Sequence, residues 1–405
     1  MRKYSLYFAA LCVMAVMIGC QSGSSYDGVD VITAGDIDEE ADLTEIAYDF
    51  RVYPLKADVP MDGIGGIKSW DGGAVMLARS SDSRKIMRFD NYKLTSVLDK
   101  LGRGPGEYYF IEDFSYDKVN NCIYIENDSN LVTYDANTLE FKGKQTVNIM
   151  IQNILNVDDK MLYFGYYLDE YNRSRVGSTI YLPKESMILV DRDERDLKKG
   201  TVLYRESSLA RSFFGYPELF FVNPKNYSTC LPGDVNRIVT FDDKKVTDVY
   251  RFKLGTAGLS SKMQELFDKE EIEMDDLQSS LRVLSMALSE GPSISLTYNI
   301  MVDGNTISFR TAYNSDGSFG SSSPYLYWVH NDEGTKVYKH LRIPGLARDI
   351  DPTGANGNHQ IAIIENLGDA TVDKSVEMCP LAKQIIEELK NQNDENPVLV
   401  EFRFK

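Results

Sequence analysis

Leu101-Gly102-Arg103-Gly104-Pro105-Gly106-Glu107-Tyr108 decides how the rest of the chain is read. Three glycines and a proline within residues 102–106 exclude a helix or a strand interior. Gly supplies positive φ or close backbone approach, and Pro fixes φ at about −65° and removes a donor. The runs on either side are β-rich and end in the same aromatic–Asp turn, so the stretch reads as the joint between two repeats.

Working outward, Ile64–Trp70, a turn at Asp71-Gly72-Gly73 and Ala74–Ala78 form a hairpin. Lys85–Asp90 follows, then a turn and Leu94–Leu98. A second copy is Ile123–Glu126, Leu131–Asp135 and Leu139–Lys142. A third is Arg237–Asp242 and Val246–Phe252, with degraded copies at Met187–Asp191 and Tyr327–Asn331. The shared unit is an alternating strand, an aromatic, an Asp and an aliphatic four residues on. Asp accepts from amides two residues ahead and so nucleates a tight turn. A ring of cation-binding carboxylates fits poorly, because outer turns of neighbouring sheets point away from one another.

The marks are 45 residues apart from Asp90 to Asp135, then 56 to Asp191 and 51 to Asp242. A repeat of about 40–50 residues with four strands is the signature of a β-propeller blade. The next gap, to Asn331, is 89 residues and holds an insertion. Its apolar spacing over about 259–290 (Met263, Leu266, Phe267; Leu277, Leu281, Leu284, Leu288) predicts helices. They would pack on the propeller or form a docking surface. Pro380 opens a short C-terminal helix with Leu381, Ile385, Ile386 and Leu389 on one face. A last strand, Val398–Phe404, pairs with an N-terminal strand at Tyr48–Leu55 to close the ring and remove a free edge. The expectation is an all-β, six-bladed β-propeller over 45–405 with a helical insertion and a short C-terminal helix. Its blades fall at about 60–100, 108–148, 150–207, 213–256, 291–344 and 346–404, the last completed by 45–55.

Arg2 and Lys3 precede an apolar run, Leu6–Ile18, too short for a stable span and suited to a signal peptide over 1–19. It ends Met17-Ile18-Gly19-Cys20, the pattern of a bacterial lipobox, which makes Cys20 the lipidation site and the acyl chains the membrane anchor. Residues 20–44 read as an acidic flexible tether: Asp27–Glu45 carries eight acids and no base. Calcium would need a loop spacing these acids lack, so no cofactor or metal ligand is expected.

The formal charge of −17 excludes nucleic acid, whose phosphates call for a basic face. Cys122, Cys230 and Cys379 remain after Cys12 and Cys20 are accounted for, so at most one disulfide can form, and buried free thiols are expected. His330, His340 and His359 lack a paired nucleophile, and no hydrolase, metalloprotease or phosphate-loop motif is present.

The lipobox, the acidic segment, Gly-Arg-Gly-Pro-Gly-Glu-Tyr after the first blade, the Asp-turn repeats and the terminal Asn-Pro-Val-Leu-Val-Glu-Phe-Arg-Phe together resemble the six-bladed β-propeller lipoproteins of Bacteroidales-type bacteria. In fold these are similar to NHL and TolB-like propellers. The resemblance implies an envelope lipoprotein and no catalytic residues. Surface-directed members carry a Lys/acid signal after the cysteine. Gln21–Ser25 lacks it, which points to the periplasmic side of the outer membrane.

Arg103, Glu107 and Tyr108 are the candidate binding residues: at a blade's inner end they would line the central funnel. Otherwise Arg103 and Glu107 brace the loop as a pair, and Tyr108 and Tyr109 pack between blades. The expected function is a monomeric, non-catalytic scaffold binding a protein or glycan partner. The alternative is a metal-assisted lyase or lactonase with its site in the funnel.

Overall fold

The structure, a computed structural model, describes residues 29–58, 64–70, 73–79, 84–109, 111, 114–117, 120–127, 129–157, 159–171, 175–176, 179–181, 184–207, 221–222, 227–231, 234–241, 246–254, 271–273, 293–314, 325–365, 371–391 and 396–405. The signal peptide, Cys20 and Asp242 lie outside them.

Before the first blade the chain makes β1 (Val29–Ala34), β2 (Asp38–Asp42) and β3 (Ala47–Pro54). Blade one is β4 (Ile64–Trp70), β5 (Gly73–Arg79), β6 (Arg84–Asp90) and β7 (Lys93–Leu98). Blade two is β8 (Phe114–Asp117), β9 (Cys122–Asn127), β10 (Asn130–Asp135) and β11 (Phe141–Thr146). In blade three β12 (Ile149–Val157) and β13 (Lys160–Tyr167) lead through a side hairpin, β14 (Arg175–Val176) and β15 (Thr179–Tyr181), to β16 (Lys184–Asp191) and β17 (Thr201–Ser207). Blade four is β18 (Phe221–Val222), β19 (Tyr227–Leu231), β20 (Asp234–Phe241) and β21 (Val246–Leu254). After β22 (Glu271–Glu273), blade five is β23 (Ser293–Asp303), β24 (Thr306–Asn314), β25 (Tyr325–Asn331) and β26 (Gly334–Arg342). Blade six is β27 (Pro352–Asn356), β28 (His359–Ile364) and β29 (Val398–Phe404), completed by β3. The fold is therefore a six-bladed propeller closed by pairing both ends of the chain, and a parallel contact between β27 and β4 joins the last blade to the first.

Asp90, Asp135, Asp191 and Asn331 each end the third strand of a blade. At Asp135 the carboxylate accepts from the amides of Asn137 (2.8 Å) and Thr138 (3.1 Å), the turn chemistry expected of it. Asp90 works differently. It receives Arg88 and the Thr95 hydroxyl, and the turn itself is made by Asn91 and Tyr92 at φ 48° and 58°.

The 20–44 tether is corrected from residue 29 onward. β1 pairs in parallel with β21, β2 pairs in parallel with β26, and a short helix, Leu43–Ile46, leads into β3. Lys56 then exchanges backbone bonds with blade one, Nα to Tyr92 O at 2.8 Å and O from Leu94 N at 2.7 Å. The segment is a belt along the outer edges of four consecutive blades. Acid count misled because Asp36, Asp38, Glu39, Glu40 and Glu45 face water while Ile32, Ala34, Ala41 and Leu43 are buried. The helical insert at about 259–290 lies outside the described residues except at 271–273. Those three form a strand pairing with β15 rather than helix.

Blades pack face to face through apolar strands. Phe252, Phe309 and Trp328 meet between blades four and five, with ring centroids 4.7 and 5.2 Å apart across Phe309. The helix Pro380–Lys390 buries Ala382, Ile385, Ile386 and Leu389, and its first turn is capped by Cys379 Sγ, which accepts from Ala382 N at 3.4 Å. Cys122 and Cys379 are free thiols.

Candidate functional site

The loop quoted at the outset leaves β7, the outermost strand of blade one, and leads to β8, the innermost strand of blade two. It is folded on itself: Gly102 N donates to Tyr108 O at 2.9 Å, Tyr108 N to Lys100 O at 3.1 Å, and Glu107 N to Gly104 O at 3.1 Å. The Glu107 carboxylate turns back to accept from Gly104 N at 2.7 Å. A Cβ at Gly102 would run into that carboxylate. Gly106 has φ +76°, and a Cβ there would lie 2.8 Å from Phe141 of β11.

Tyr108 is fully buried in the apolar cluster between blades one and two. Its hydroxyl donates toward Arg84 O (2.9 Å) and Leu98 O (3.1 Å) and accepts from Lys100 N (3.1 Å). Burial pushes the phenol up to about 12, so it stays protonated. The Tyr134 hydroxyl in turn donates to Gly106 O at 3.1 Å. These contacts fall on the third and fourth strands of both blades. The loop is thereby fixed to the outer half of the interface, and the funnel placement is corrected. The physical reason is the register: Tyr108 fills the gap between two outer strand pairs, where its hydroxyl accepts from Lys100 N and shares its one proton between the Arg84 and Leu98 carbonyls.

Arg103 and Glu107 have separate partners rather than forming a pair. Arg103 is exposed and its guanidinium lies 5.2 Å from the Tyr109 ring centroid, while Glu107 holds the Gly104 amide. Glu107, Gly106, Pro105, Leu101, Lys100, Asp99 and Phe141 enclose an open cleft of about 550 Å³. Leu101, Tyr109 and Phe141 are 53%, 57% and 39% exposed, so each keeps apolar surface in solvent, Phe141 on the face turned away from Gly106 and Tyr134. Lys100 supplies a cation on this cleft and sits 5.9 Å from the Tyr134 ring. Of these, Lys100, Leu101 and Phe141 were not singled out from sequence. Phe141 is 33 residues after Tyr108, and only the propeller register brings the start of β11 back to the loop.

The histidines are held in local pairs. His359 Nε2 meets Asp49 Oδ2 at 2.8 Å, His340 Nδ1 meets Asp349 Oδ2 at 2.6 Å, and His330 Nδ1 meets the Thr335 hydroxyl at 2.9 Å. Among the described residues, no three His, Cys, Asp or Glu side chains gather closely enough to hold a metal ion.

Residues 20–306 match the family model DUF5128, described as a six-bladed β-propeller. Among solved structures, the chain is similar to a protein from Bacteroides fragilis NCTC 9343 named as an exported protein, at 13% identity and a TM-score of 0.64, covering 93% of this chain and all of that one. A member of the DUF4221 family from Bacteroides vulgatus ATCC 8482 aligns at 11% identity and a TM-score of 0.43, over 89% of this chain and 98% of its own. No curated protein sequence matches.

Proposed function

This chain belongs to the DUF5128 family of six-bladed β-propellers, and we propose that it is a non-catalytic cell-envelope lipoprotein whose propeller holds a protein or glycan partner. Acylated Cys20 anchors it on the periplasmic side of the outer membrane. The lipobox supports this address, as does the likeness to a protein named as exported. The observation that carries the binding reading is the cleft between the Gly-Pro-Gly loop and Phe141, with Leu101 and Tyr109 exposed on a backbone that its own hydrogen bonds hold rigid. A rigid platform binds with little loss of conformational entropy.

The test uses the full-length protein extracted in detergent. A photo-reactive phenylalanine analogue at Tyr109 captures a defined envelope partner, and a panel of soluble oligosaccharides is screened by thermal unfolding. A ligand at a hundred times its Kd adds about 2.7 kcal/mol, which moves Tm by a few degrees. Capture at Tyr109 or a glycan-dependent shift lost in Phe141→Ser supports the reading. If Tyr109 captures no defined partner and no oligosaccharide shifts Tm, the reading is overturned. Cys20→Ser separates the address from the binding, because it releases the protein from the membrane fraction and leaves the Tm shift intact.

A further inference from the structure

The belt shows what the outer edges of these blades accept. β1 and β2 are extended and acidic, and both add in parallel to the fourth strand of a blade. The acceptor strands are basic: Val31 and Thr33 stand opposite Arg251 and Lys253, and Glu39 Oε2 meets Lys339 Nζ at 2.7 Å. The fourth strands of blades two and three, β11 and β17, stand at the edge of their sheets among the described residues. Such an edge carries a row of unpaired N–H and C=O groups, which a further strand can use.

The two edges differ. β17, Thr201–Ser207, mixes Arg205 with Glu206. β11 reads Phe-Lys-Gly-Lys-Gln-Thr, two lysines and no acid. Lys142 and Lys144 are both exposed, Lys142 at the bulge where pairing with β10 shifts from Phe141 to Gly143. Lys142 reaches Asp135 at 3.3 Å but keeps 43% of its side chain in solvent. β11 also begins at Phe141, so this edge runs into the cleft that Lys100 and Leu101 line.

We propose that β11 is a docking edge for an acidic, extended segment of another protein, added as a fifth, parallel strand. Backbone bonds along 141–146 supply the affinity, and Lys142 and Lys144 pair with acids of the segment. The cleft takes one of its side chains. The assignment rests on the propeller's being a binding scaffold, and it names the partner's chemistry.

The probe is a labelled synthetic peptide copying residues 29–42 of this chain, added to the full-length protein in detergent, where the chain's own copy already occupies blades four and five. Fluorescence anisotropy is expected to rise saturably at low salt and to weaken as salt is added. Lys142→Glu with Lys144→Glu lowers the affinity at least tenfold, and Lys144→Glu alone, remote from the Asp135 turn, at least threefold, with Tm within a few degrees of the parent. A scrambled peptide of the same composition binds at least tenfold more weakly. Three results overturn the proposal. The first is no saturable binding, the second equal binding of the scrambled peptide (charge alone), and the third an affinity indifferent to both lysine variants (exchange at blades four and five). If the peptide fails while Tyr109 still captures a partner, only the strand-addition inference falls.

Discussion

Tyr108 and Asp135 are small pieces of chemistry on which the blade-to-blade geometry turns. One phenol hydroxyl serves two carbonyls and an amide in a site with no solvent access. Tyr108→Phe keeps the ring and strands those groups, which costs about 1–3 kcal/mol and lowers Tm by a few degrees in a circular-dichroism melt. An unchanged Tm would show that the ring alone does the work. Asp135 titrates in a way that can be followed. The amides of Thr138 and then Asn137, with Lys142 behind them, hold its carboxyl below the usual range. A carboxylate depressed in the folded state contributes stability that is complete above its unfolded value and is lost as pH falls through the folded one. Urea midpoints of the parent should therefore drop between pH 4 and pH 2, and Asp135→Asn should lower the midpoint at pH 7 and flatten that drop. Parallel pH curves would exclude the coupling. The turn at Asp135 was legible because Asp needs only its own next residues to make it. The turn at Asp90 was not, since Asn91 and Tyr92 in left-handed conformations leave the Asp free for Arg88 and Thr95.

At the scale of an element, the belt is the instructive case. Val-Asp-Val-Ile-Thr-Ala has the alternation of a strand, yet its acids made it read as solvated chain. What decided otherwise lies more than two hundred residues away: Val29 stands opposite Val249 and Asp38 opposite Tyr338. A parallel strand added from so far off leaves no local signature, because its partner strand already has a complete blade. Ile32 is 1% exposed and packs into the core of blades three to five, whereas its neighbour Thr33 faces solvent. Ile32→Ala is expected to cost about 2–5 kcal/mol and Thr33→Ala within about 0.5 kcal/mol, read as shifts in the urea midpoint. Equal, small effects would mean that the belt is laid on the blades without holding them. The Gly-Pro-Gly loop was half legible for the same reason. Its glycines announced a joint, but whether it faced the axis or the rim depended on Gly106 meeting Phe141, a contact between separate blades.

For the whole molecule, the ring is only as cooperative as its closure. β29 is the central strand of blade six, between β28 and β3, and Val398, Leu399, Val400 and Phe402 are fully buried. Removing it would leave two unpaired edges facing each other across an open core and disconnect the N-terminal strand from the ring. The belt is peripheral by comparison: without residues 29–42, blades four and five still have four strands each. Truncation after Pro397 is therefore expected to abolish the sharp thermal transition and leave a protein cleaved throughout by trypsin. Deletion of 21–42 should keep a sharp transition at a lower midpoint, with cleavage confined to the blades the belt had covered. If the C-terminal truncation melts sharply at the parent's temperature, closure through β29 is not what makes the six blades one cooperative unit, and the β27–β4 contact would have to carry that role instead.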